Sequence, residues 1–323
     1  DGVLVTERLD PVVNPGTRLA LSLATSTQVS SPTLVSCSYG GTVFGGSNFA
    51  ALTNTSFLRQ GECTTSPIKD DNSVYWNPSL FFQWKNGSFS SVDGNSVMYV
   101  DTYLYSDTPG ATTSFPDDFR MVGGSPTLRS FNASSVAQRA ITFVCLEFDG
   151  ADVTSNGLPS QACPDGLRAQ ITFPSCWDGV HTDSADHKSH VAFPSGGPNS
   201  GTCSDPKFPK TLPRVFMEML LDTTAWNNIS SQAKNPSQPF VYSMGDPTGF
   251  GYNAGFINGW TTSVLQDAVD NCHCSPIGDP TCCSAAGIFT FQQGGQQCHI
   301  PSSINEAATG TLPSLPGNNP VVE

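Results

Sequence analysis

The chain alternates short apolar runs with breaks rich in Gly, Pro, Asn and Asp, the pattern of strands joined by long loops. Residues 80–84, 97–105, 140–148, 167–173, 215–221 and 240–242 are rich in β-branched, aromatic and aliphatic side chains and predict strands. Asn86-Gly87 and Asp93-Gly94 fall between apolar segments, where such dipeptides accept the positive φ of a tight turn, so 80–105 reads as a hairpin or meander. One helix is predicted over 263–271, where Val264, Leu265, Ala268 and Val269 recur at helical spacing behind Thr261 or Thr262 as cap. The expected fold is mainly β: a β-sandwich or jelly-roll-like single domain with long disulfide-stapled loops and one short helix.

From Cys272 the periodicity disappears. Five of the eleven cysteines (272, 274, 282, 283 and 298) fall in the next 27 residues, where disulfides must brace what an apolar core cannot. The chain therefore divides into a β-rich body over 1–271 and a cysteine-rich appendage over 272–323 packed on the same domain, its tail from Pro301 extended or frayed. The Ser/Thr-rich, nearly uncharged stretch 17–41 is a surface hairpin or an insertion.

With 37% hydrophobic and 10% aromatic residues in 323, a sizeable core is available. The net charge of -13, with only 14 Lys and Arg scattered along the chain, excludes nucleic acid and an anionic membrane surface as partners. No apolar run approaches the roughly 20 residues that span a bilayer. Because Asp1 is not an initiator Met, a mature, secreted form is expected, extracellular or wall-associated and monomeric. Eleven cysteines fit an oxidising compartment, as do sequons at Asn54, Asn86, Asn132 and Asn228. At least four disulfides are expected, with Cys163 and Cys176 joined to each other or to Cys145 and Cys203, and Cys37 is the candidate for an unpaired thiol.

Chemistry concentrates between Cys163 and Pro194. His181, Asp183, Asp186, His187 and His190 combine imidazoles that titrate near neutrality with carboxylates, a set suited to a metal site or an acid and base pair. The plainer reading is a loop knot whose side chains bond the backbone. Cys272-His273-Cys274 and Cys282-Cys283 lack zinc-site spacing and read as disulfides. Trp177-Asp178-Gly179 and the run Gly245 to Tyr252 place aromatics beside acids, as sugar sites do, although buried turn anchors look the same.

In order along the chain stand NPSLFF, FPDDFRMVGG, LRSFN, RAITFVCLEF, CPDGLRAQITFPSCWDG, DHKSH and GDPTGFGY, with ERLDP at 7–11 and GGSNF at 45–49. This series resembles the fungal secreted domain DUF1996, often fused to WSC or cellulose-binding modules. The resemblance implies a fungal origin, an extracellular location and a polysaccharide context, and names no reaction. The chain departs from the family's pattern twice. Ser38-Tyr39-Gly40-Gly41 stand where a His-x-His motif is expected, and Asn253 and Gly255 stand at the His and Asp positions of a Gly-Tyr-His-x-Asp-Phe run. No tightly bound transition metal and no cofactor are expected, since two histidines fall short of the three or four ligands a stable site needs.

The expected function is to act on or bind cell-wall or plant polysaccharide or oligosaccharide. As a glycoside hydrolase or polysaccharide lyase, Asp178, Asp186 or Asp246 would pair with His187 or His190, because glycoside cleavage needs two such groups. Trp177, His181, Lys188, Phe250, Tyr252 and Asn253 would contact the sugar. The alternative is a non-catalytic glycan-binding or wall protein with a degenerate site.

Overall fold

The structure is a computed structural model that describes residues 3–7, 54–59, 66, 68–101, 112–274, 281–291 and 310–322, with backbone alone for 3–7, 57 and 95–101. The 17–41 stretch, Cys37, Cys63, Cys298 and the first departure from the family pattern lie outside these residues. The chain is mainly β, with four antiparallel sheets in a sandwich-like body.

The largest sheet has six strands in the order β1-β5-β13-β9-β7-β8. These are β1 (Val3–Glu7), β5 (Gly94–Asp101), β13 (Arg214–Leu221), β9 (Leu167–Thr172), β7 (Ile141–Cys145) and β8 (Val153–Ser155). Alternation explains β13: Val215, Met217, Met219 and Leu221 are buried, while Phe216, Glu218 and Leu220 face outward. Each inward side chain contributes about 1.5–3 kcal/mol by leaving water.

Against this sheet packs a second one, β2 (Val74–Trp76), β15 (Asn253–Ile257) and β6 (Arg120–Gly124), with β15 in the middle. Met121, Ala254 and Phe256 share one core with Ile171, Phe173 and Met217. The sheets approach closely here, and a Cβ on Gly123 would stand 2.8 Å from Ile171 Cδ1, so that side chain would have to shift.

A third sheet, β14 (Phe240–Tyr242), β3 (Leu80–Gln83), β4 (Phe89–Ser91) and β16 (Thr311–Leu312), covers a smaller cluster of Phe81, Phe89, Val241, Leu312 and Leu315. The tail expected to be extended or frayed is paired from Thr311, and Val322 closes it by donating its amide to the Gly245 carbonyl at 2.9 Å. The fourth sheet sets β10 (Cys176–Trp177) between β11 (Val191–Ala192) and β12 (Lys210–Thr211).

Of the hairpin or meander expected over 80–105, the structure has the hairpin, β3 with β4, and among the described residues no onward meander. Asn86-Gly87 does turn β3 into β4, with Gly87 at φ 87°. Asp93-Gly94 instead marks the crossing from the third sheet to the six-stranded one. Gly94 is there for close approach, because a Cβ would sit 2.4 Å from the Leu220 carbonyl oxygen. The predicted helix runs Thr262–Asn271 behind Thr261. Besides it, the described residues hold single helical turns of four or five residues at 55–58, 136–139, 224–227 and 281–285, and 3-10 turns at 230–232 and 316–318.

Four disulfides join Cys145 to Cys163, Cys176 to Cys203, Cys272 to Cys283 and Cys274 to Cys282. The first two tie the ends of β7 and β10 to the loops that follow, and the last two fasten the 281–285 turn to the end of the long helix. Loops of this size give about 3 kcal/mol each in the chain-entropy account.

Candidate functional site: a polar loop on a sheet edge

β6 is an edge strand whose outer N–H and C=O groups need partners. The loop 181–190 supplies them. The Arg120 amide donates to the Thr182 carbonyl at 3.0 Å and the Val122 amide to the His187 carbonyl at 2.9 Å. His190 Nε2 donates to the Arg120 carbonyl at 2.8 Å, and Lys188 Nζ donates to the Gly124 carbonyl. A histidine-rich segment therefore does the work of a neighbouring strand, with side chains replacing part of the ladder.

The loop holds this shape through its own acceptors. Asp186 takes the Ser189 hydroxyl at 2.5 Å, the Ser189 and Lys188 amides at 2.9 and 3.1 Å, and the Ser184 hydroxyl at 2.8 Å. These bonds, from Ser189 first, hold its carboxyl far below the usual carboxylate range. Ser184 Oγ is encircled as well: it accepts the Lys188 and Ser189 amides at 3.1 Å and lies 2.9 Å from His190 Nδ1. A hydroxyl so fully engaged is not an available nucleophile. His190 is 2% exposed and packs edge-on against Phe119, and its burial lowers its pKa from the ordinary value.

Two aspartate–histidine pairs remain nearer to solvent. His187 Nδ1 lies 2.6 Å from Asp183, whose other oxygen is 3.8 Å from Arg120 Nε. His181 Nδ1 lies 2.6 Å from Asp178, and its ring is 68% exposed. Burial alone would raise the Asp178 pKa, but hydrogen bonds from the His181 ring and amide and from the Val180 amide outweigh it and lower the value. Trp177, half-buried on Phe119, donates its indole N–H to the His181 carbonyl at 2.7 Å, which fixes the indole beside this pair.

The second predicted cluster is built differently. Asp246 has no exposed surface and accepts the Thr248 amide at 2.8 Å, the Thr248 hydroxyl at 2.6 Å and the Gly251 amide at 2.7 Å, with Arg129 at 3.7 Å. It is the organiser of a buried turn. Tyr252 is likewise sealed in the core against Phe143 and Tyr242, its hydroxyl pKa raised by burial. Phe250 is half-buried on Phe131 at 6.1 Å. Asn253 is 3% exposed and lies opposite Gly124 in the β15–β6 ladder. The two clusters meet at Gly124, which takes Lys188 on one side and pairs with Asn253 on the other. Neither Asp246 nor Tyr252 lines a surface with the loop.

Among the described residues, the group of His, Cys, Asp or Glu close enough to share an ion is Cys274, Cys282 and Cys283, and those sulfurs belong to two disulfides. No described helix is long and apolar enough to cross a membrane.

Residues 29–260 match the family described as a domain of unknown function, DUF1996. The chain belongs to the DUF1996 family. Neither a curated protein nor a solved structure matches it. Several motifs of this DUF1996 chain now have physical roles. In FPDDFRMVGG, Asp118 accepts the Thr55 amide at 3.0 Å and donates its own amide to the Thr55 hydroxyl at 2.7 Å, while Asp117 pairs with Arg59. Arg120 to Gly124 are β6, the edge that DHKSH covers. Arg120 was not among the expected site residues. Its signal was the alternation of buried Phe119 and Met121 with polar or small neighbours.

Proposed function

We propose that this chain is a secreted glycan-binding protein that holds sugar against Trp177 and His181 without cleaving it. The observation that carries the reading is the state of the three candidate acids. Asp178 and Asp186 are held below the ordinary carboxylate range by the loop's own donors, and Asp246 is sealed from solvent. A glycosidase acid must keep its proton near neutrality, which calls for a raised pKa and access to the substrate oxygen. A half-exposed indole beside an exposed imidazole offers instead an apolar face and a polar rim, the arrangement that grips a pyranose ring. The family resemblance adds the polysaccharide context, and four disulfides fit an oxidising compartment.

A second reading has one observation in its favour. The Asp178–His181 pair, with its ring largely in solvent, has the form of an oriented general base, as a polysaccharide lyase requires.

Titration with oligosaccharides from β-glucan, chitin, mannan and uronan tests the proposal. At least one series is expected to bind, and Trp177→Ala is expected to weaken that affinity about tenfold, roughly 1.4 kcal/mol. Undiminished affinity in the variant would move the binding face elsewhere.

A further inference from the structure

A second aromatic group lies on the third sheet. Trp84 follows β3 and Trp226 belongs to the turn 224–227, and their rings meet edge to face at 6.1 Å. Phe82 sits against both, 4.8 Å from Trp84 edge-on and 4.8 Å from Trp226 in a stack tilted by 18°. Phe82 is fully buried, whereas both indoles are half-buried. The backbone laces the two segments together, with the Lys85 amide on the Gln232 carbonyl at 3.0 Å and the Lys234 amide on the Gln83 carbonyl at 2.9 Å.

Each segment carries the same pattern, Trp-x-Asn-x-Ser: Trp84-Lys85-Asn86-Gly87-Ser88 and Trp226-Asn227-Asn228-Ile229-Ser230. Both asparagines are exposed. In the first, the Trp84 amide donates to the Ser88 carbonyl at 2.9 Å, which closes a turn with Asn86 at its tip and Trp84 at its base. Asn132, also exposed, has Ser130 two residues before it, and half-buried Asn54 has Leu52. Tryptophan at that position is therefore specific to the two sequons that the fold brings side by side.

We propose that Asn86 and Asn228 carry N-linked glycans whose first N-acetylhexosamine rings stack on Trp84 and Trp226, so that two glycans cap one aromatic face. The modification rests on the secretory part of the reading above and not on its sugar binding. A glycosyl pyrophosphate donor supplies the saccharide. The asparagine carboxamide nitrogen forms a bond to the sugar C1, the C1–O bond to pyrophosphate breaks, the amide loses one proton and pyrophosphate departs. The linked ring then presents axial C–H groups and an acetyl methyl to an indole two residues away, the contact by which aromatic faces hold sugars. A half-exposed tryptophan pair, otherwise an apolar patch in water, is thereby covered by the protein's own modification.

The test uses the full chain secreted from a glycosylating eukaryotic host. Glycopeptide mass spectrometry reads occupancy at Asn86, Asn228 and the comparator Asn132, and NMR of the intact glycoprotein reads the acetyl methyl of each first sugar. The proposal expects occupancy at Asn86 and Asn228, with their acetyl methyls displaced upfield by the indole ring currents relative to that at Asn132. Trp84→Leu and Trp226→Leu should each abolish the displacement at their own site and leave occupancy intact. Undisplaced methyls in the unsubstituted protein would overturn the stacking, whatever the variants do. Glycan at Asn132 but not at Asn86 and Asn228 would overturn this proposal alone, and bare asparagines at all three would overturn the secretory reading with it.

Discussion

Asp246→Ala is expected to destabilise the protein by about 2–4 kcal/mol, the cost of leaving several buried donors without their acceptor. The carboxylate is fully buried, and its loss strands the Thr248 and Gly251 amides together, while Arg129 keeps the carbonyls of Pro126, Leu128 and Val322 as acceptors. Asp246→Asn should cost less, because an amide oxygen still accepts from one side. Urea denaturation, read by fluorescence and circular dichroism together, measures both variants. A variant as stable as the parent but deficient in sugar processing would show that Asp246 acts on substrate and that its surroundings open to admit one.

The second large effect is a pH dependence centred on Asp71. This residue is fully buried, accepts the Ser73 amide at 3.0 Å and the Tyr75 hydroxyl at 3.1 Å, and has its pKa pushed up from 3.8 to about 6 by burial, which the bonds from Ser73, Tyr75 and Ser66 only partly offset. The folded protein holds this proton more tightly than the unfolded chain does. The stability it contributes is therefore complete below about pH 4 and is lost as pH rises through about 6, a total of about 3 kcal/mol for a shift of this size. Asp71→Asn should remove that slope, leaving the variant more stable than the parent at pH 7 and equal to it near pH 4. His190 works in the opposite sense: burial lowers its pKa, so its contribution is present above about pH 6.5 and is lost as pH falls. Subtracting the two chains' stability curves at each pH isolates Asp71. A variant less stable than the parent throughout would mean that Asp71 folds as a carboxylate held by a cation.

Where the fold was legible, a local rule decided it. β13 could be read because alternate residues meet core and solvent, and the helix Thr262–Asn271 because its apolar positions fall on one face. Asp93-Gly94 misled because glycine serves two purposes: the dipeptide carries a turn's composition, yet the Leu220 carbonyl pressing on Gly94 comes from a strand more than a hundred residues later. The packing of the tail was illegible for a related reason, since Leu312 and Leu315 look sparse in sequence but complete a cluster begun by Phe81 and Phe89.

The site divides in the same way. Asp178, Asp186, His187 and His190 announced themselves by density, and their tight local turns explain why neighbours in sequence are neighbours in space. Their partner did not. β6 lies some sixty residues earlier, and no pattern within 181–190 says that its side chains would bond Arg120 and Gly124. Asp246 had the composition of a sugar site and the burial of a turn anchor. Only the Thr248 and Gly251 amides converging on it separate the two.

On the proposed reading, the polar loop binds sugar while its carboxylates are committed to holding the loop. The most direct test incubates the glycosylated, full-length protein with insoluble β-glucan, chitin, mannan and uronan, and measures protein retained on the solid together with reducing ends and unsaturated uronates released. Retention on at least one polymer, diminished by Trp177→Ala and without product above a heat-denatured control, is the predicted result. Product that accumulates with time and disappears in His181→Ala would contradict the account and make the Asp178–His181 pair a catalytic base.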